Sequence, residues 1–143
     1  MVKCIEISDK FSVSGQIDTS DLESLKAQGF TVIICNRPDY EDANQMLASD
    51  IESRVVELGM QFIHIPISGR GPNMQAVELS KQALDDASGR VLAYCRSGMR
   101  SVMLWSLATA MSGGTSADEL IDMAASAGFN IDGLRPTLNS LTG

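Results

Sequence analysis

The sequence predicts an α/β fold, namely a three-layer sandwich in which a mostly parallel central sheet of four to five strands is flanked by helices. Short apolar stretches typical of strands alternate with longer segments whose apolar residues recur at helical spacing, as expected for parallel sheets. The length of 143 residues suits a single domain over 1–143, and 44% apolar with 20% charged residues can fill one core.

The charge balance excludes several classes of partner. Eleven basic and eighteen acidic residues give a net charge of −7, which disfavours nucleic acid and anionic lipid surfaces. No apolar run approaches the roughly 18 residues of a membrane-spanning helix. Three cysteines, with no basic leader and apolar stretch at the start, predict a cytoplasmic protein without a disulfide framework.

The first half of the chain predicts two short strands, a helix, a buried strand, a helix and a further strand. Alternating polarity over 4–7 and 11–14 is typical of half-exposed strands. A capping box of Ser20 and Glu23 predicts a helix that reaches Gln28 and stops at Gly29. The remaining elements follow from β-branched runs and from helical spacing: a strand over 31–35, a helix over 42–58 and a strand over 62–67.

The second half predicts one strand and four helices. Helical spacing indicates a helix over 74–87, and a short apolar strand follows over 90–94. The segment 102–111 is apolar on nearly every face, which predicts a central buried helix with Trp105 as a core anchor. A second capping box, Ser116 with Glu119, opens a helix to about 127, and a last helix is expected over 131–141.

The motif with the clearest chemistry directly follows the 90–94 strand. Cys95 is followed by Gly98 after three residues and by Arg100 after five, where a helix begins. Gly98 permits a curl in which the loop N–H groups point toward an anion, and the helix N-terminus favours the Cys95 thiolate. Arg100 offers two donors that match an oxyanion. We therefore predict Cys95 and Arg100 as catalytic residues.

Neighbouring residues complete the predicted site, since ligands of open α/β sheets bind beyond the carboxyl ends of the strands. We expect Ser101 to donate a hydrogen bond to the thiolate, and Arg37 either to anchor its loop through ion pairs or to touch the ligand. The predicted anion-binding loop comprises Arg96, Ser97, Gly98, Met99 and Ser101, and the rim or assisting residues are Arg37, Asp39, Ser68 and Arg70.

Cys35 and His64 are two further candidates for a role at the site. Cys35 ends the strand expected beside the one that carries Cys95, so it is either a buried packing cysteine or a resolving thiol. His64 is the only histidine, and with three dispersed cysteines it forms no recognisable zinc ligand set. A structural role near the sheet edge is favoured for His64, and no metal or cofactor is expected.

The chain resembles two families. The loop Cys-Arg-Ser-Gly-Met-Arg-Ser over 95–101 resembles the active loop of single-domain rhodaneses, sulfurtransferases that carry sulfane sulfur as a cysteine persulfide. The segments 11–16, 34–38 and 64–67 precede it in the order seen in dual-specificity, tyrosine-phosphatase-like domains. Over about 3–140 the pattern is similar to the phosphatase-like family named after beta-lactamase-hydrolase-like proteins. Its members occur alone or fused to persulfide dioxygenases and sulfide:quinone oxidoreductases, which the resemblance implies as functional partners.

Two departures from the tyrosine-phosphatase signature favour sulfur transfer. That signature has five residues between cysteine and arginine and a histidine before the cysteine, whereas this chain has four residues and Tyr94. Phosphatases of this type also need a general acid. No carboxylate occurs over 65–76, which leaves Asp39 or Glu41 as the nearest candidates by topology. Sulfite or thiolate leaving groups need no such acid.

Three functions therefore stand as hypotheses. The first is a sulfurtransferase in which Cys95 takes sulfane sulfur from thiosulfate or glutathione persulfide. The second is a phosphatase that hydrolyses a phosphate ester through a cysteinyl-phosphate. The third is a non-catalytic module that binds a small anion.

Overall fold

The central element is a five-stranded sheet, as described for residues 2–142 by a computed structural model. Its spatial order is β1-β2-β5-β3-β4, in which β1 pairs antiparallel with β2 and the other pairs are parallel. The predicted fold class is confirmed. The strands are β1 (Ile5–Ser8), β2 (Phe11–Ser14), β3 (Phe30–Cys35), β4 (Gln61–His64) and β5 (Arg90–Tyr94).

Helices cover both faces of the sheet, and alternate residues of the central strands divide between two cores. Ile33 and Leu92 pack with α1 and α2, whereas Val32 and Val91 pack with the other helices. This two-sided burial explains why β3 and β5 are apolar on both faces. The helices are α1 (Leu22–Ala27), α2 (Ala48–Glu57), α3 (Met74–Asp86), α4 (Met99–Ser112), α5 (Ala117–Ser126) and α6 (Arg135–Thr142), with 3₁₀ turns at Thr19–Asp21 and Asp132–Leu134.

The central helix α4 begins at Met99, within the predicted 95–101 loop, and lies in the larger core. Trp105 on α4 is buried, and its ring stacks on that of Phe11 in β2 at 5.9 Å between centroids. The prediction that Trp105 is a core anchor is confirmed. Within 2–142, no helix is both long and apolar enough to cross a membrane.

The helix predicted over 42–58 begins six residues later, at Ala48. Arg37 binds Glu41 and Asp42, and Asp39 Oδ1 accepts the N–H of Ala48 at 2.8 Å. These contacts satisfy the start of α2 and hold the preceding residues in a loop. The helical spacing of the apolar residues over 43–47 is therefore overridden by polar tertiary contacts.

Several other features differ from prediction. The last helix, predicted over 131–141, begins at Arg135 after the 3₁₀ turn, and β2, predicted as a half-exposed strand, is buried at all four residues. The strand predicted over 62–67 ends at His64, because Pro66 has no N–H to donate, although Ile65 N and Ile67 N still bond to carbonyls of Cys35 and Asn36. The Ser20–Glu23 capping box is wrong. Asp18 and Asp21 instead form a capping box around the 3₁₀ turn.

The other turn and cap predictions hold. Ser116 and Glu119 form the predicted capping box at the start of α5. Gly29 adopts the predicted left-handed stop after α1, with φ of 96°.

Ile33→Val should lower the free energy of unfolding by about 0.5–1.5 kcal/mol, because Ile33 is fully buried in β3 and the lost methyl group leaves a cavity. Urea denaturation monitored by Trp105 fluorescence measures this change. Val56→Ala on the exposed side of α2 is the control and should change stability by less than about 0.5 kcal/mol. Equal effects of the two substitutions would contradict the packing described for β3.

Candidate active site

Cys95 is the first residue after β5 and lies at the centre of the loop that leads into α4. Its side chain is fully buried, and its Sγ accepts a hydrogen bond from the N–H of Gly98 at 3.1 Å. The Cys95 N–H donates to the carbonyl of Ser14 at 3.3 Å, which ties the loop to β2. The thiol thus lies where a backbone amide and the start of a 14-residue helix provide positive potential.

Only glycine fits the conformation and surroundings of position 98. Gly98 has φ of 100°, in the left-handed region, and a Cβ there would lie 3.2 Å from the Phe129 ring and 3.4 Å from Val13. A second close approach occurs at Gly15, where a Cβ would lie 2.9 Å from the carbonyl oxygen of Arg96. Phe129 and Gly15 are supports of the loop that the sequence did not reveal, because their partners are distant in the chain.

Arg100 reaches across the site and is held by two other loops. Its NH1 donates to the carbonyl of Ile67 at 2.8 Å and to Glu41 Oε2 at 2.6 Å, and its NH2 donates to Glu41 Oε1 at 2.8 Å. The side chain is mostly buried, with 14% exposed. The guanidinium is therefore oriented before any anion binds.

Glu41 is shared by two arginines. Its Oε1 also accepts from Arg37 Nε at 3.0 Å, while Arg37 donates to Gln16 and Asp42 as well. Arg37 was predicted either to anchor its loop or to touch the ligand. Because its side chain is buried and forms ion pairs, the structure favours the anchoring role. The hydrogen bonds from Arg100, reinforced by those from Arg37 and only partly opposed by burial, lower the pKa of Glu41 to about 2.

The two predicted acid candidates are both engaged in contacts with other groups. Glu41 is ionised between its arginines, and its hydrogen bond also raises the pKa of Arg100. Asp39 uses Oδ1 to cap α2. Glu41 orients the guanidinium of Arg100, and Asp39 holds the first residue of α2.

Ser101 does not form the expected hydrogen bond to Cys95. Its hydroxyl donates to Asn36 Oδ1 at 2.8 Å, and both residues are buried. Asn36 directly follows β3, but sequence reasoning did not single it out as a site residue. The position of Asn36 could have indicated its role. It directly follows a strand that is buried on both faces, and a buried amide side chain requires hydrogen-bond partners.

The remaining residues predicted for the anion-binding loop and for the rim differ in burial and in contacts. Arg96 and Ser97 are exposed, and Arg96 Nε is 3.8 Å from Asp42 Oδ2. Met99 is half-buried against the larger core. Ser68 and Arg70 are exposed on the loop after β4, where the Arg70 N–H contacts Ser68 Oγ at 3.3 Å. Within residues 2–142, neither Ser68 nor Arg70 forms a hydrogen bond or an ion pair with the Cys95 loop.

Cys35 lies in the strand adjacent to β5, as predicted, and its thiol is buried. Its Sγ donates to the carbonyl of Arg37 at 3.3 Å, and burial raises the pKa of the Cys35 thiol. The resolving-thiol role of Cys35 stays a prediction. His64 is exposed on the edge strand β4, where its ring lies 6.3 Å from that of Phe62. Among the described residues, no group of three or more His, Cys, Asp or Glu could hold a metal ion.

A cleft of about 640 Å³ adjoins the site. Its walls include Gln16, Arg37, Asp42, Asn44 and Met46. Arg37 and Asp42 also belong to the ion pairs described above, whereas no residue of the 95–101 loop lines the cleft.

Gly98→Ala should slow alkylation of Cys95, since the added methyl group forces the Gly98 N–H away from Sγ. An alanine with positive φ also costs about 1–3 kcal/mol of stability. The matched control is Gly113→Ala, because Gly113 has φ of 84° and open space around it at the other end of α4. Peptide mapping after iodoacetamide gives the rate at Cys95. We expect both variants to lose stability and only the first to lose thiol reactivity, so unchanged reactivity in Gly98→Ala would contradict the role assigned to Gly98.

Glu41→Gln should flatten the dependence of stability on acid pH. The folded-state pKa of about 2 lies below the value of roughly 4.3 expected in the unfolded chain. The ionised group therefore stabilises the fold fully above about pH 5, and this contribution is lost as the pH falls toward 2. Urea denaturation at a series of pH values measures the slope. Glu57→Gln, at an exposed ion pair with Arg54, should follow the wild-type profile. A Glu41→Gln profile parallel to the wild type would refute the described coupling.

The family of the chain is shown by its sequence. The family described as "Beta-lactamase hydrolase-like protein, phosphatase-like domain" matches residues 4–112. Beta-lactamase hydrolase-like proteins of Agrobacterium fabrum and of Xylella fastidiosa strain Temecula1 are 31% and 26% identical to this chain over 130 residues, which is 91% of its length. The chain spans 30% of the length of these curated relatives.

Solved structures agree with this relationship. A proposed phosphatase from Neisseria meningitidis is 33% identical, with a TM-score of 0.81 and coverage of 96% of both chains. A proposed phosphatase from Shewanella putrefaciens (19% identity, TM-score 0.73, coverage 96% and 88%) and kinase associated phosphatase (15%, 0.76, 99% and 91%) share the fold. The resemblance of the 95–101 loop to rhodaneses stays a prediction. The chain belongs to the family of beta-lactamase hydrolase-like phosphatase-like domains.

Proposed function

We propose that the chain is a cysteine-dependent phosphatase that acts on small phosphate monoesters. The observation that carries this proposal is the buried Cys95 thiol, which accepts the Gly98 N–H at 3.1 Å in a loop between a central strand and a helix N-terminus. The phosphatase-like family and fold support it. This reverses the order of the two enzymatic hypotheses drawn from the sequence.

The reaction would proceed in two displacements at phosphorus. The Cys95 thiolate attacks phosphorus and forms a sulfur–phosphorus bond, while the ester P–O bond breaks and the leaving oxygen takes its electrons. Water then attacks phosphorus, which releases inorganic phosphate and regenerates the thiolate. Loop N–H groups and Arg100 would stabilise the negative charge on the phosphoryl oxygens in both steps.

The chemistry of the carboxylates restricts the substrate. Glu41 is ionised, Asp39 caps α2, and no carboxylate occurs over 65–76. The leaving alcohol would thus depart without a strong acid nearby, which favours aryl esters, whose leaving groups need little protonation. The adjacent cleft offers space for the organic part of such a substrate.

Sulfur transfer is the second candidate, favoured by the absence of a placed acid and by the four-residue spacing between Cys95 and Arg100. Here the thiolate attacks the sulfane sulfur of thiosulfate, a new S–S bond forms, and sulfite leaves with the electrons of the old bond. An acceptor thiolate then removes the sulfane sulfur. A persulfide dioxygenase or a sulfide:quinone oxidoreductase would be the functional partner in the cytoplasm. The third candidate, a non-catalytic module, predicts anion binding without turnover.

The wild-type chain should hydrolyse 4-nitrophenyl phosphate, and Cys95→Ser should abolish this activity because serine cannot replace the thiolate. Arg100→Lys should lower kcat/KM by about tenfold or more, since lysine lacks the paired donors. Arg54→Lys is the matched control, because Arg54 also binds two carboxylates but lies far from the loop in an exposed ion-pair group. We expect it to behave as wild type in the release of 4-nitrophenol.

Parallel assays separate the candidates. Release of thiocyanate from thiosulfate and cyanide, lost in Cys95→Ser, without hydrolysis of the aryl phosphate would replace the phosphatase by the sulfurtransferase. Binding of phosphate by calorimetry without turnover of either substrate would favour the binding module.

A further inference from the structure

We propose that Asn36 and Ser101 form a positioning pair that sets the orientation of Arg100 and of the first turn of α4, with no contact to the thiolate. The inference rests on the proposed function only in requiring that the Cys95 loop binds an anion. It assigns to Ser101 a role different from the thiolate donor expected from the sequence.

Asn36 joins three parts of the site through four hydrogen bonds. Its N–H donates to the carbonyl of Tyr94 at 2.8 Å, and its own carbonyl accepts from Ile67 N at 3.1 Å. The side-chain Nδ2 donates to the carbonyl of Ile65 at 2.9 Å, and Oδ1 accepts from Ser101 at 2.8 Å. Asn36 is 1% exposed, so water does not compete for these groups. It therefore fixes β5, the segment after β4 and α4 relative to one another.

The hydroxyl of Ser101 differs from other helical hydroxyls of the chain. Ser80, Ser106 and Ser112 donate to carbonyls three or four residues earlier in their own helices. Ser101 instead donates across 65 residues of sequence to another element. A hydroxyl has one proton to donate, and this proton is directed to Asn36. It is therefore not available to Cys95 Sγ in this arrangement.

The pair acts on Arg100 from two sides. Ser101 is the next residue along α4, so its bond to Asn36 holds the turn that carries Arg100. The carbonyl of Ile67, which accepts from Arg100 NH1 at 2.8 Å, belongs to the residue whose N–H binds Asn36. Removing the link should let the first turn of α4 shift against this segment. The N–H donors of Arg100 that Glu41 and Ile67 do not use would then no longer match the oxygens of an anion.

The experiment compares Ser101→Ala, Ser101→Thr and the control Ser106→Ala in the full chain. Ser106→Ala removes an equally buried hydroxyl from the same helix, but one that bonds only within the helix. Calorimetry gives the Kd for inorganic phosphate and for thiosulfate, and 4-nitrophenyl phosphate assays give kcat and KM across pH. We expect Ser101→Ala to weaken anion binding and raise KM by about 10-fold to 100-fold. Ser101→Thr should restore binding, and Ser106→Ala should leave it unchanged.

Three outcomes would overturn the proposal. A shift of the acid limb of the pH profile in Ser101→Ala, with anion affinity unchanged, would mean that the hydroxyl acts on the thiolate. A lower melting temperature with wild-type Kd and KM would reduce the pair to a stability role. Equal effects of Ser101→Ala and Ser106→Ala on Kd would have the same meaning.

The test remains informative if the proposed phosphatase activity fails. Anion Kd values need no turnover, so loss of affinity in Ser101→Ala would support the pair even when the wild-type chain hydrolyses nothing. In addition, we expect the double variant Asn36→Ala with Ser101→Ala to have the same Kd for anions as the single variant with the higher Kd. Both substitutions remove the same hydrogen bond between Asn36 and Ser101, so their effects should not add. Additive losses would contradict the pairing.

Discussion

The carboxylate of Glu41 lies between the guanidinium groups of Arg37 and Arg100, and the geometry of the site depends on this shared ion pair. It joins the loop after β3 to the helix that follows Cys95, across 59 residues of sequence. Because Arg37 is buried, leaving it without acidic partners would be costly, so the loop residues 41 and 42 are held toward it. The same contact prevents these residues from joining α2. The ion pair thus contributes both to a helix boundary, together with Asp39, and to the orientation of Arg100, together with the Ile67 carbonyl.

The electrostatic potential at Cys95 depends on groups in its own loop more than on the net charge of the chain. The chain carries −7 overall, whereas the Gly98 N–H and the start of α4 provide positive potential at Cys95, and Arg96 and Arg100 are paired with Asp42 and Glu41. At physiological ionic strength, the field of distant surface carboxylates is screened beyond roughly 8 Å, whereas contacts with the loop are not. A small anion in the loop would therefore depend on these contacts more than on the acidic surface.

Local patterns predicted those parts of the molecule that depend on local chemistry. The alternation of strands and helices, the stop at Gly29 and the curl at Gly98 follow from periodicity and from backbone freedom, and the structure has all three. The start of α2, the cap at Asp18 and the partner of Ser101 were not predicted correctly. Each depends on a tertiary contact or on a competing cap that apolar spacing does not encode. Ser101 and Asn36 are separated by 65 residues, so no sequence window contains both.

The two enzymatic hypotheses share their first event, attack by the Cys95 thiolate on the electrophilic atom of a bound anion, and they differ in what must leave. Phosphate monoesters release an alkoxide or phenoxide, and the cost of that step rises with the basicity of the leaving oxygen unless an acid donates a proton. Sulfite and thiolate leave without one. Glu41 is ionised between its arginines, and Asp39 Oδ1 accepts the N–H at the start of α2. The basicity of the leaving group, more than the shape of the anion, should therefore decide which substrates this site can convert.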